Sequence, residues 1–186
     1  MSMSISEVEL YILSYYRACE LAGAILFGKL ALHTTIDAIR IPLTQHCLEE
    51  AEHAWRWTDT IRALGRTPIR VIQTYQSEYG KEFGLPHNTL EILCLTQVFE
   101  LRTVDHFRRH LALPQASPPV RSALQQMIDD ESGHLSWVRD ELDRYAAVHG
   151  ANAVDDVMGK LKAVDERVYA RLMAREPFQS FFTPQP

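Results

Sequence analysis

The chain has 186 residues, 46% of them apolar and 23% charged, with a formal net charge of -5 at pH 7. That length can bury a core large enough for one domain without covalent staples, and the acidic balance lacks the basic footprint a nucleic-acid partner demands. The first ten residues, MSMSISEVEL, carry neither a basic n-region nor an apolar h-region, and no stretch reaches 18 uncharged apolar residues; the expectation is a cytoplasmic protein with no membrane span.

Turn signals divide the chain into long segments of helical periodicity. Ser4 and Ser6 each precede a Glu by three residues, a capping-box pattern that opens a first helix running to about Leu32. A second is expected from about Thr35 to Leu64, stopped by Gly65, with Pro42 either kinking it or marking its true start. Residues 65–87 hold Gly65, Pro68, Gly80, Gly84 and Pro86 and read as a long connection. Asn88, with Glu91 three residues on, starts a third helix that ends near Leu113. Ser117 and the two prolines after it open a fourth, which ends at Gly150. Residues 151–176 form an amphipathic fifth segment, with Val154, Val157, Leu161, Val164, Val168 and Leu172 on one stripe, and PFQSFFTPQP trails from it.

Short breaks make antiparallel neighbours, whereas a 23-residue link crosses a bundle easily: a helix of about 28 residues is only about 42 Å long. The predicted fold is therefore all-α, a four-helix bundle with one long crossover over residues 1–150, followed by a C-terminal helix and tail over 151–186. The stripe on that last helix is expected to pack on the bundle or to pair two subunits in a homodimer.

One pattern in these helices is chemical. Glu50 and His53 stand three apart in LEEAEHAWR, and Glu131 and His134 repeat the pair in DDESGHLSW. A single Glu-x-x-His is a common accident, but Glu20 lies 30 residues before Glu50 and Glu100 lies 31 before Glu131, so the halves of the chain match. Residues three, four and seven apart share a helix face. Glu20 shares its face with Leu13, Tyr16, Gly23, Ala24 and Phe27, and Glu100 with Leu93, Thr96, Thr103, Val104 and Phe107. Glu50 lies among Leu43, His46, Cys47, Ala54 and Trp57, and Glu131 among Leu124, Met127, Ile128, Leu135 and Val138. Four carboxylates on apolar faces carry a prohibitive charge unless neutralised. Two divalent cations supply it, and one Glu from each of two helices with Glu-x-x-His from the other two is a dinuclear carboxylate ligand set.

Over residues 6–148 the chain resembles the ferritin-like di-iron carboxylate superfamily, which includes bacterioferritin, rubrerythrin and the di-iron oxygenases. The resemblance implies that Glu20, Glu50, His53, Glu100, Glu131 and His134 are metal ligands and carry the catalysis, with Glu50 and Glu131 bridging. It implies that Asp130 orients the histidine of the opposite helix, a role open to Glu49 as well; Tyr16 is one turn from Glu20, within reach of the metals. Gly23, Ala24, Thr96 and Thr103 are small enough to leave a pocket, and a mid-helix glycine such as Gly23 implies a close approach to the backbone. Thr103 stands where rubrerythrins place an extra Glu, and Cys19, Cys47 and Cys94, never in C-x-x-C, cannot form a rubredoxin site. His33, His46, His87, His106, His110 and His149 lack a paired pattern and read as packing or surface residues, His46 standing apart because it lies one turn before Glu50.

The expected function is a non-haem di-iron oxidase or oxygenase: two Fe ions cycling between Fe2+ and Fe3+, O2 and a small, largely apolar organic molecule as substrates, and an external electron donor. Mn or a mixed Mn/Fe pair suits the same N/O ligands. Two other classes are consistent with the pattern: a ferroxidase or iron-storage protein, and a helical interaction module without catalysis.

Overall fold

The structure, a computed structural model, describes residues 5–183. It is all-helical, with no strand among the described residues. Seven helices follow in order: α1 (Glu7–His33), α2 (Asp37–Ala63), α3 (Tyr75–Phe83), α4 (Thr89–Leu111), α5 (Pro118–His149), α6 (Ala151–Met173) and α7 (Phe178–Phe182).

Local chemistry sets most boundaries. Ser6 Oγ accepts the Glu9 N–H at 3.0 Å and caps α1; Ser4 lies outside the described residues. Asn88 Oδ1 accepts the Glu91 N–H at 2.9 Å, while the Glu91 carboxylate accepts the His87 N–H at 2.7 Å. Pro118 and Pro119 occupy the first turn of α5, where their missing N–H groups cost nothing. Gly150 ends α5 at φ 90°, a left-handed conformation that turns the chain directly into α6. α2 runs through Pro42 from Asp37, so that proline does not start the helix.

Two expectations are corrected. The connection 65–87 is not structureless: Thr74 and Ser77 cap one another reciprocally, at 3.2 and 3.0 Å, and open α3. The tail folds back as α7, which buries Phe178 and Phe181. Phe178 meets Tyr15 edge-on at 4.7 Å between ring centroids.

α1 packs along α2, and α4 along α5; α2 also meets α5. α6 lies against α3, α4 and α5, its stripe of Leu161, Val164 and Val168 buried in the main apolar core. Asp165 on that buried face is matched by Arg102 of α4, which donates from Nε at 2.9 Å and from Nη2 at 2.5 Å, and by the Tyr75 hydroxyl of α3. Tyr169, one turn on, lies under the Arg102 guanidinium at 4.0 Å. By length and composition α1 is apolar enough to cross a membrane, a property it shares with core helices; half of that stretch is buried within the molecule.

Candidate metal centre

Four helices bring seven titratable side chains into one buried cluster. α1 contributes Glu20, α2 contributes His46, Glu50 and His53, α4 contributes Glu100, and α5 contributes Glu131 and His134. Each is at most 5% exposed. Their donor atoms fall into two groups, each within 4.8 Å: His46, Glu50, Glu100 and His134 in one, Glu20, His53 and Glu131 in the other. All six residues of the repeated pattern are therefore brought together, and His46 joins them.

His46 is the member that sequence periodicity left among the packing residues. Its ring is fully buried, and Nε2 lies 2.9 Å from Glu100 Oε1 and 3.2 Å from Glu50 Oε1. It stacks on His134 with 4.0 Å between centroids. The available signal was its position one turn before Glu50, which places both side chains on one face.

The two paired histidines face matching carboxylates, His134 through hydrogen bonds and His53 at longer distances. His134 turns Nδ1 toward Glu131 Oε2 at 2.7 Å and Nε2 toward Glu49 Oε2 of α2 at 2.6 Å. His53 turns Nδ1 toward Glu131 Oε1 at 3.3 Å and Nε2 toward Asp130 Oδ2 of α5 at 3.6 Å. Thus Glu49 and Asp130, each the residue before a clustered Glu, reach across to the histidine of the facing helix and favour the proton on its outer nitrogen. Asp130 is itself held by Arg56 at 2.5 Å.

Tyr16 is elsewhere: its hydroxyl bonds His110 Nδ1 at 3.1 Å, and its ring packs edge-on to Phe107. Of the four small residues, Gly23 and Thr103 line the cavity beside the cluster. Ala24 and Thr96 do not: the Ala24 carbonyl accepts the Cys47 thiol at 3.2 Å, and the buried Thr96 hydroxyl donates to the Ile92 carbonyl at 2.9 Å. At Gly23 the close neighbour is a side chain, since a Cβ there would overlap Glu50 Oε2 and stand 2.9 Å from Glu50 Cδ.

Electrostatics show what the cluster demands. Burial, reinforced by the charges of Glu20 and Glu100, raises the Glu50 carboxyl well above its ordinary range. Burial and the charge of Glu100 push Glu131 up to about 8. Burial opposes the charged form of His134, but hydrogen bonding to Glu100 and Glu131 outweighs it and holds the proton up to about 11. Burial likewise raises Glu100, yet its bond to Glu131 and the imidazole of His46 bring it well below the ordinary value. Protons thus hold together a set of carboxylates that could not all ionise unaided.

Three atoms are left over. His46 Nδ1, His53 Nδ1 and Glu131 Oε1 are buried without a hydrogen bond. His53 Nδ1 and Glu131 Oε1 face one another at 3.3 Å without forming one, as two donors to a shared cation would. The orphaned imidazole and carboxylate pair of His53 and Glu131, with His46 presenting Nε2 to Glu50 and Glu100, fits a divalent transition metal. Comparison with family models, with curated proteins and with solved structures finds no match to this chain.

Proposed function

We propose that the protein is a ferritin-like, non-haem di-iron oxidase or oxygenase acting on a small organic molecule. The observation that carries this reading is the convergence of Glu20, Glu50, Glu100, Glu131, His53 and His134 from four helices, all buried, with unsatisfied donor atoms between them. His46, Glu50, Glu100 and His134 would hold one cation, and Glu20, His53 and Glu131 the other. The group when bound supplies the redox equivalents for reducing O2, which no protein side chain here provides.

The chain's own contributions follow from its geometry. Glu49 holds His134 by a hydrogen bond with Nδ1 turned inward, and the Asp130 carboxylate faces the outer nitrogen of His53 at 3.6 Å, so the imidazoles enter the site oriented. Gly23 gives Glu50 room to change position, because no Cβ stands beside its carboxylate. The cavity bordering Glu20, Glu50 and Glu100 is lined in part by aromatic carbon from Tyr16, Phe27, Phe99 and Phe107, an apolar surface for an organic molecule beside the carboxylates. That cavity favours an organic substrate over Fe(II) itself.

The test is Glu131→Ala, which removes a carboxylate placed between His53 and His134. Wild type loaded anaerobically with Fe(II) should bind two irons per chain and consume O2 on exposure to air; in the variant both should fall together. Above pH 8, where Glu131 has lost its proton in the metal-free chain, the variant should melt at or above wild type, since a cavity is offset by relief of buried repulsion, while the Fe(II)-dependent rise in melting temperature largely disappears. A variant that keeps two irons and the full rise would sink the assignment.

A further inference from the structure

The cavity beside the metal-site carboxylates has a volume of about 60 Å³. With about 10–15 Å³ for each water-sized group, it accommodates about four to six heavy atoms. Phe and Tyr rings form much of its apolar wall, and His106, which also lines it, carries an unpartnered Nε2. His106 lies six residues beyond Glu100 on α4, about 9 Å along the helix axis. A molecule of that size anchored at the imidazole therefore extends toward the carboxylate end.

The tautomer of His106 follows from its neighbours. Arg109 Nη1 donates to the Tyr169 hydroxyl at 2.9 Å, and that hydroxyl lies 2.9 Å from His106 Nδ1. A guanidinium cannot accept, so the Tyr169 oxygen takes the Arg109 proton and gives its own to Nδ1. The ring proton then sits on Nε2, which is buried with no partner in the protein. Burial, with the charges of His110, Arg109 and Arg102 added, lowers the pKa of His106 to about 3, so the ring is neutral. A buried N–H left unmatched bears its full desolvation penalty, which a ligand oxygen would remove.

Resting on the oxidase reading, we propose that this cavity binds a small neutral carbonyl compound, its oxygen accepting the His106 Nε2–H and its carbon skeleton lying against the aromatic wall. An anion is disfavoured, because the Arg102 charge is already matched by Asp165 and the far end of the cavity is lined by carboxylates.

The experiment uses the full chain labelled with [15N]histidine and titrated with 2-butanone, the His106 Nε2–H resonance being identified by its loss in His106→Phe. That resonance should shift saturably with the ketone. 2-Methyl-1-butene, of equal size but without the oxygen, should bind at least about fivefold more weakly, the scale of one net hydrogen bond. Tyr169→Phe keeps the ring and removes the hydroxyl that places the proton, and it should weaken ketone binding about fivefold while the protein still melts cooperatively. No saturable shift, equal binding of ketone and alkene, or unchanged binding by Tyr169→Phe overturns the proposal. The two readings fail separately: ketone binding by a chain that takes up no metal removes the oxidase alone, and iron uptake with O2 consumption but no ketone response removes this site alone.

Discussion

Gly23 is the residue at which a backbone choice and the candidate metal centre meet. In mid-helix a glycine is about 1 kcal/mol worse than alanine, so Gly23→Ala should favour α1 locally. The new methyl would nonetheless occupy the space of the Glu50 carboxylate. Because the overlap is with the far end of a flexible side chain, the fold should survive and the carboxylate should move. The expected outcome is a metal-free melting temperature within a few degrees of wild type and a loss of at least one of two bound irons, read by metal analysis. His46 invites a second substitution. His46→Gln keeps a polar group but removes an imidazole from the four-donor group, and should weaken one of two Co(II) equivalents by at least about tenfold in a titration followed by visible absorption. Two equivalents with unchanged affinity would return His46 to the role of a packing residue.

At the scale of elements, α6 is tied to the bundle by more than its apolar stripe. Asp165, 6% exposed, is the shared acceptor of Arg102 and Tyr75, and Tyr169 lies one turn away under two guanidinium groups. Asp165→Ala strips Arg102 of its buried partner, leaving only the exposed Asp105 at 3.3 Å, and leaves the Tyr75 hydroxyl unmatched. Removing one partner of a fully buried pair costs about 3–5 kcal/mol; partial solvent access to Arg102 lowers the expectation here to about 2–3 kcal/mol, measured by urea unfolding. Tyr169 and Leu172 of α6 and Tyr75 and Gln76 of α3 also line the cavity. A change in this ion pair should therefore alter ligand binding as well as stability, which an exposed appendage would not do.

For the whole molecule the consequence is a pH dependence with a defined direction. In the metal-free chain Glu131 holds its proton up to about 8 and His134 up to about 11, both above their ordinary values of 4.5 and 6.5, and Glu50 is raised as well. The folded state thus binds protons that the unfolded state releases, and stability falls as pH rises through that interval. His46, His106 and His110 are lowered and act oppositely, but only below 6.5; the depressed Glu100 adds stability that is lost only below about 4.5. Between pH 6.5 and 8 the melting temperature of the metal-free chain should therefore decline. Cations displace those same protons, so the rise in melting temperature on adding Mn(II) should grow over this window. A rise that does not vary with pH would show that the cation binds away from these carboxylates.

The sequence alone determined the helices that announce themselves by local chemistry, and the chemistry they carry. Ser6, Asn88, Pro118 and Gly150 act within a few residues of themselves, and a period of 3.6 places Glu20, Glu50, Glu100 and Glu131 on apolar faces whatever those faces meet. The repeat across two halves pointed to a shared site because buried charge must be neutralised. α3 was hidden because its capping partner is Ser77 rather than a Glu or Gln, in a stretch dominated by turn residues. α7 was hidden because five residues show no period, and only the aromatic cluster it joins keeps it folded. What the tertiary structure decided is every relation that crosses between elements: that His46 meets Glu100, that Tyr16 turns to His110, that Glu50 fills the gap left by Gly23, and that α3 and α6 wall the cavity. Such contacts depend on the rotation and spacing of packed helices, which no single helix encodes.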